Sequence, residues 1–79
     1  MRTYHITLNT INDVKEFVSA VSKCEFDVDL VSGRYAIDAK SIMGIFSLDL
    51  SKPIDLNIHA EGEAIVNEIL TVLAPYLVH

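Results

Sequence analysis

Apolar and polar residues alternate in four short stretches of the chain. In the first of them Tyr4, Ile6 and Leu8 share one face, and polar residues occupy the other. Such alternation is typical of strands that bury one face and expose the other to water. The pattern therefore predicts four strands, at residues 3–8, 25–31, 35–39 and 54–59.

The segment after the first strand has the spacing of an amphipathic helix. Its apolar residues recur at positions i, i+3, i+4 and i+7, namely Val14, Phe17, Val18 and Val21. Thr10 and Asp13 lie three residues apart and approximate a capping box at the start of this helix. We expect the helix to end near Lys23.

Two more helices are predicted in the second half of the chain. Ser41 is a natural N-cap for a short helix from Ile42 to about Leu48. The last helix begins near Glu61, and Pro75 kinks or ends it. Its wide apolar face comprises Ile65, Val66, Ile69, Leu70, Val72 and Leu73.

Ser32-Gly33 separates the second and third strands and marks a two-residue hairpin turn. The predicted order is β-α-β-β-α-β-α, without a linker or an internal repeat. Strands with one apolar face imply an antiparallel four-stranded sheet that three helices cover on one side only. We therefore expect a single α+β domain, an open-faced β-sandwich, over residues 1–79.

Composition limits the classes of function. The chain has 79 residues, 51% of them hydrophobic, and a net charge of −5 with only six basic residues. This balance argues against nucleic acids and membrane surfaces, which both attract clustered Lys and Arg. The sequence has a single cysteine, Cys24, so an internal disulfide and a Cys-rich metal site are ruled out. No apolar run of the sequence is long enough to span a membrane. We expect a cytoplasmic protein without a cofactor.

One segment resembles a known family. Residues 38–48, Asp-Ala-Lys-Ser-Ile-Met-Gly-Ile-Phe-Ser-Leu, are similar to the region around the regulatory serine of HPr, the phosphocarrier of the bacterial sugar phosphotransferase system. The likeness continues through residues 58–62, Ile-His-Ala-Glu-Gly, and reaches back to Phe17. From Phe17 to Gly62 the chain follows the family pattern without a gap, which implies the HPr-like fold.

The chain departs from this pattern just before its first helix. The family carries a Gly-Leu-His-Ala/Thr-Arg-Pro motif there, and its histidine accepts the phosphoryl group. In this chain the corresponding stretch is shorter and has Thr10 nearest the histidine, Asn12 nearest the arginine and Asp13 nearest the proline. Transfer through histidine needs a neutral imidazole nitrogen and cationic or N–H donors for the phosphate. The resemblance therefore implies a family member that has lost its carrier site.

The resemblance without the carrier histidine implies a non-catalytic regulatory adaptor. In this it is similar to the catabolite-repression paralogue of HPr, which lacks the active histidine but keeps the regulatory serine. Ser41 matches the serine that a dedicated kinase phosphorylates, although it also has a simple role as a helix cap. Ile42, Met43 and Phe46 crowd a helix too short to bury them all, so we expect part of this set to bind a partner. HPr kinase, a transcriptional regulator and a phosphotransferase component are the candidate partners.

Three alternatives stay open. The chain could still carry phosphate on a non-equivalent residue, with His5 and His59 on the water-facing side of neighbouring strands. Those histidines share that face with several aspartates, but extended strands spread side chains apart, so we expect a solvated face without a metal. The apolar last helix either only covers the core or also forms a homodimer seam. The chain could also be a stand-alone structural or oligomeric module with no link to sugar uptake. Separately, we expect the terminal His79 to be disordered.

Overall fold

The computed structural model describes residues 2–78 and confirms the predicted order of elements. Its strands are β1 (Arg2–Ile6), β2 (Val28–Ser32), β3 (Tyr35–Asp38) and β4 (Ile54–Ile58). Its helices are α1 (Ile11–Val21), α2 (Ile42–Phe46) and α3 (Glu63–Leu73), and a 3-10 turn spans Ala74–Tyr76. His79 lies outside the described residues.

The strands form one antiparallel sheet in the order β1-β4-β2-β3. Its register aligns Tyr4, Leu56, Leu30 and Ile37 in one row across all four strands. The row lies on the face that the helices cover, where Leu30 and Leu56 are fully buried. This is the predicted α+β arrangement, an open sheet with helices on one side.

The core lies between the sheet and the helices. Ile6 and Ile58 of the sheet pack with Phe17 of α1, Ile45 of α2 and Leu73 of α3, all of them fully buried. Burying a side chain of this size contributes about 1.5–3 kcal/mol to stability. Among residues 2–78 no polar or charged residue is buried, so hydrophobic packing alone forms this core.

Several boundaries differ from the prediction. β1 ends at Ile6, because Ile6 pairs with Ile54, the first residue of β4, and the pairing of the two strands stops there. β2 begins only at Val28, and Phe26 lies before it, partly buried under the helices. Apolar and polar residues continue to alternate beyond the residues that are hydrogen-bonded in the sheet. The pattern therefore predicts both strands to be longer than they are.

The β2–β3 turn lies one residue later than predicted. Ser32 still pairs with Tyr35 in the sheet, and Gly33 and Arg34 form the two-residue turn. Gly33 has φ +61°. Among the described residues, no residue other than glycine has a positive φ. A positive φ at the first turn residue, Gly33, and none at the second, Arg34, is the pattern of the type II′ hairpin turn. This turn favours glycine as its first residue.

The end of the chain pairs with β1, which the sequence pattern did not predict. After the turn that contains Pro75, Leu77 forms an antiparallel bridge with Ile6. The N–H of Val78 donates to the carbonyl of His5 at 2.9 Å. This segment therefore covers the outer edge of β1. None of the helices in residues 2–78 has the length and apolar character needed to cross a membrane.

The apolar face of α3 is narrower than predicted. Val66, Ile69 and Leu73 are buried, whereas Ile65 and Val72 are 49% and 52% exposed. One sheet face accommodates only a stripe along an 11-residue helix, so the flanking apolar residues remain in contact with water.

Candidate functional site

The start of α1 is closed by a reciprocal pair of hydrogen bonds. The N–H of Asp13 donates to the Thr10 hydroxyl at 3.0 Å, and the N–H of Thr10 donates to the Asp13 carboxylate at 3.2 Å. The N–H of Asn9 donates to the same carboxylate oxygen at 3.0 Å. This is a complete capping box, as the sequence predicted. The carboxylate thus satisfies two N–H groups just before the first helical residue, Ile11.

Of the described histidines, neither His5 nor His59 lies at the start of α1. Asn12 points along the helix and donates from Nδ2 to Glu16 Oε1 at 3.2 Å. The sequence has no histidine between His5 and His59, and both of these extend from the sheet. The residues at the helix start can therefore cap the helix, but they include neither a phosphoryl-accepting nitrogen nor a cation.

Ser41 caps α2 and remains accessible. Its hydroxyl accepts a hydrogen bond from the N–H of Gly44 at 3.2 Å, and its own N–H donates to the carbonyl of Asp38 at 3.0 Å. A β-carbon on Gly44 would come within 3.2 Å of the Ser41 hydroxyl, so glycine keeps space beside this oxygen. Ser41 is exposed, and a modifying enzyme could therefore reach its hydroxyl.

The apolar residues of α2 divide between core and surface. Ile45 is fully buried, and Ile42 packs against the core but is partly exposed. Met43 is 76% exposed and Phe46 is 42% exposed. The sequence pattern predicted this division. It did not predict that Ile11, at the start of α1, is 65% exposed. The helical spacing would place Ile11 with Val14 and the core, so no signal in the pattern marks it as exposed.

The open face of the sheet carries two histidine–aspartate pairs. His5 Nδ1 lies 2.8 Å from Asp55 Oδ1, and His59 Nε2 lies 2.6 Å from Asp29 Oδ2. Asp29 also faces Asp38 across the β2–β3 ladder. Within residues 2–78 no three His, Cys, Asp or Glu side chains gather into a metal-binding group.

Cys24 lies after α1, and its thiol is partly buried. Burial raises the pKa of the thiol and Glu68 adds to this effect, while Lys40 opposes it. Lys40 donates from Nζ to the Cys24 carbonyl at 3.0 Å. The thiol therefore stays protonated at neutral pH, which is unlike a catalytic or redox-active cysteine.

Comparisons with known proteins agree with this fold. The family model described as "PTS HPr component phosphorylation site" matches residues 12–74. The crystal structure of HPr-C-His from Thermoanaerobacter tengcongensis matches with a TM-score of 0.74 at 25% identity, covering 92% of this chain and 90% of that one. The search of curated proteins found no match.

The chain belongs to the HPr family of the phosphotransferase system. Proteins of this family are phosphocarriers and not enzymes. The match begins at Asn12, inside α1, and leaves Thr10 and the residues before it outside the matched range.

Proposed function

We propose that this protein is a regulatory adaptor of the phosphotransferase system that carries no phosphoryl group on histidine. The observation that supports this most directly is the capping box, in which the Asp13 carboxylate binds the N–H groups of Asn9 and Thr10. A phosphocarrier would need an imidazole and cationic or N–H donors at this place. The protein would act in the cytoplasm.

Electrostatics argue against a phosphohistidine beside α1. A phosphoryl group carries nearly two negative charges at neutral pH. Its repulsion from a carboxylate such as that of Asp13 at about 4 Å is about 1–4 kcal/mol per unit of charge, depending on screening. Asp13 already accepts hydrogen bonds from the N–H groups of Asn9 and Thr10. Thr10 offers only a hydroxyl, which is a poor nucleophile without a neighbouring base.

The exposed apolar residues of α2 form the docking surface in this proposal, which we define as Met43 and Phe46 with Ile42 at its edge. Exposed apolar side chains on so small a protein favour contact with a partner, and the flexible thioether of methionine adapts to different partners. HPr kinase, a transcriptional regulator or another phosphotransferase component would bind here.

Ser41 would regulate this binding. It directly precedes Ile42, so a phosphate on its hydroxyl would place up to two negative charges beside the docking surface. The free N–H groups at the start of α2 favour that charge, so phosphorylation would not destabilise the helix. The modification would therefore change partner choice and leave the fold intact.

Incubation with radiolabelled phosphoenolpyruvate and the first enzyme of the phosphotransferase system tests the proposal. An authentic HPr in the same mixture should acquire acid-labile label, and this protein should not. Label on this protein that is lost in His5→Gln or in His59→Gln would show that it is a phosphocarrier at a non-equivalent site and would overturn the proposal.

A further inference from the structure

A groove opens between α1 and α3, away from the docking surface. It encloses about 520 Å³. We name it the α1/α3 groove. Each wall is a stripe of residues at positions i, i+3, i+4 and i+7. The first wall consists of Glu16, Ser19 and Ala20 of α1 and of Lys23, two residues past the end of that helix. The α3 wall consists of Ile65, Glu68, Ile69 and Val72.

The dimensions of the groove suit a helix. Each stripe covers two turns, or about 10 Å along a helix axis. Ser19 and Ala20 are small, so a third backbone could approach α1 closely, and Phe26 adds apolar surface where the chain leaves α1. An extended peptide would need free backbone groups at a sheet edge, and both walls here are helices whose backbone groups are bonded internally.

The groove is lined by both apolar and acidic side chains. Ile65 and Val72 are about half exposed although they belong to a helix that covers the core. Three carboxylates, those of Glu16, Glu25 and Glu68, line the groove, against the single ammonium group of Lys23. Such a surface attracts aliphatic side chains that are flanked by basic ones.

The same charges argue against a second copy as the occupant. Two identical grooves facing each other would bring six carboxylates together with only two ammonium groups, which repel at short range. Glu16 is also held in place, because its carboxylate accepts from the Tyr76 hydroxyl at 3.0 Å and from Asn12 at 3.2 Å. Its charge therefore cannot easily swing away.

We propose that the α1/α3 groove binds an amphipathic helix of a partner protein, with aliphatic residues at i, i+3, i+4 and i+7 and Lys or Arg on both flanks. This site shares no residue with the docking surface on α2. It lies toward the end of α1, whereas Thr10 caps its start. The protein could therefore bind two partners at once, which goes beyond the adaptor function proposed above.

A synthetic peptide tests this inference. The probe is an 18-residue helical peptide of leucine and lysine with leucines at the stated spacing, and its control replaces every lysine by glutamate. Titration calorimetry should show binding of the basic peptide and none of the acidic one. Absence of binding by the basic peptide, or equal binding of both, would overturn the proposal.

Charge-reversed variants separate the groove from general attraction to an acidic protein. Glu68→Lys should weaken the basic peptide about five- to tenfold, because one attraction becomes a repulsion. Glu61→Lys makes the same change in net charge outside the groove and should leave affinity nearly unchanged. Both residues are exposed, so both variants should fold. Equal weakening by the two variants would show that binding is not at the groove.

Cys24 supplies a second readout. Its thiol lines the groove and is the only thiol of the chain. The bound basic peptide should slow alkylation of Cys24 by N-ethylmaleimide, and the acidic peptide should not. Binding without protection of Cys24 would place the peptide elsewhere and contradict the proposal.

Discussion

Thr10 and Asp13 satisfy each other's hydrogen-bonding groups at the start of α1. The Asp13 N–H donates to the Thr10 hydroxyl at 3.0 Å, and the Thr10 N–H donates to the Asp13 carboxylate at 3.2 Å. The acidic side chain also stabilises the positive end of the helix. In the adaptor function that we propose, the same carboxylate disfavours a phosphoryl group beside α1.

The cap should contribute measurably to stability. Thr10→Ala removes the acceptor of the Asp13 N–H and should lower the free energy of unfolding by about 1 kcal/mol. Thr10→Ser keeps the hydroxyl and should leave the free energy of unfolding nearly unchanged. Urea denaturation followed by circular dichroism measures both. Equal stability of Thr10→Ala and the native protein would contradict the role of the cap.

Ser41 should be the target of an HPr kinase. Incubation with the kinase and ATP should add one phosphate to the native protein and none to Ser41→Ala. Ser47→Ala, at the other end of α2, is the matched control and should be phosphorylated normally. Mass spectrometry of the intact protein makes the measurement. A native protein that stays unmodified would leave Ser41 with its capping role alone.

Met43 should matter for binding and little for folding. Met43→Asp places a charge in the docking surface and should abolish partner binding, while the free energy of unfolding changes by less than about 0.5 kcal/mol, because the side chain is 76% exposed. Tyr35→Asp, at a 71% exposed position in β3, controls for the added charge and should bind normally. Surface plasmon resonance with the kinase as partner and urea denaturation distinguish the two effects. Loss of stability in Met43→Asp would instead mean that Met43 belongs to the core.

Tyr76 should make stability depend on pH in the alkaline range. Burial raises the pKa of its phenol, and the hydrogen bond to Glu16 and the nearby charge of Asp13 add to this. The folded state therefore favours the neutral phenol. Its contribution is complete below the unfolded pKa of about 10 and is lost as pH rises through the higher folded pKa.

Tyr76→Phe tests this dependence. At pH 7 it should cost about 0.5–1.5 kcal/mol, because the hydrogen bond to Glu16 is lost. Above pH 10 the difference from the parent protein should shrink. Both proteins should carry Cys24→Ser, because burial also raises the pKa of that thiol. A difference in the free energy of unfolding that stays constant from pH 8 to pH 11 would contradict the assignment.

Local patterns predicted most of the elements because they act over a few residues. The spacing of Val14, Phe17 and Val21 marked α1, and Thr10 marked its start. The same patterns placed the hairpin turn one residue too early, because serine occurs both in turns and at strand ends. They also predicted too wide a buried face for α3. Helical periodicity does not distinguish the buried Val66 from the half-exposed Val72.

The sequence alone determined which residues alternate, which cap a helix and which charges the surface carries, because these depend on neighbours within one or two helical turns. Only the tertiary structure decided that Leu77 pairs with Ile6, that His59 meets Asp29 and that α1 and α3 leave a groove between them. These contacts join residues 30 or more positions apart. Their formation depends on how the sheet and helices pack, which no local pattern encodes.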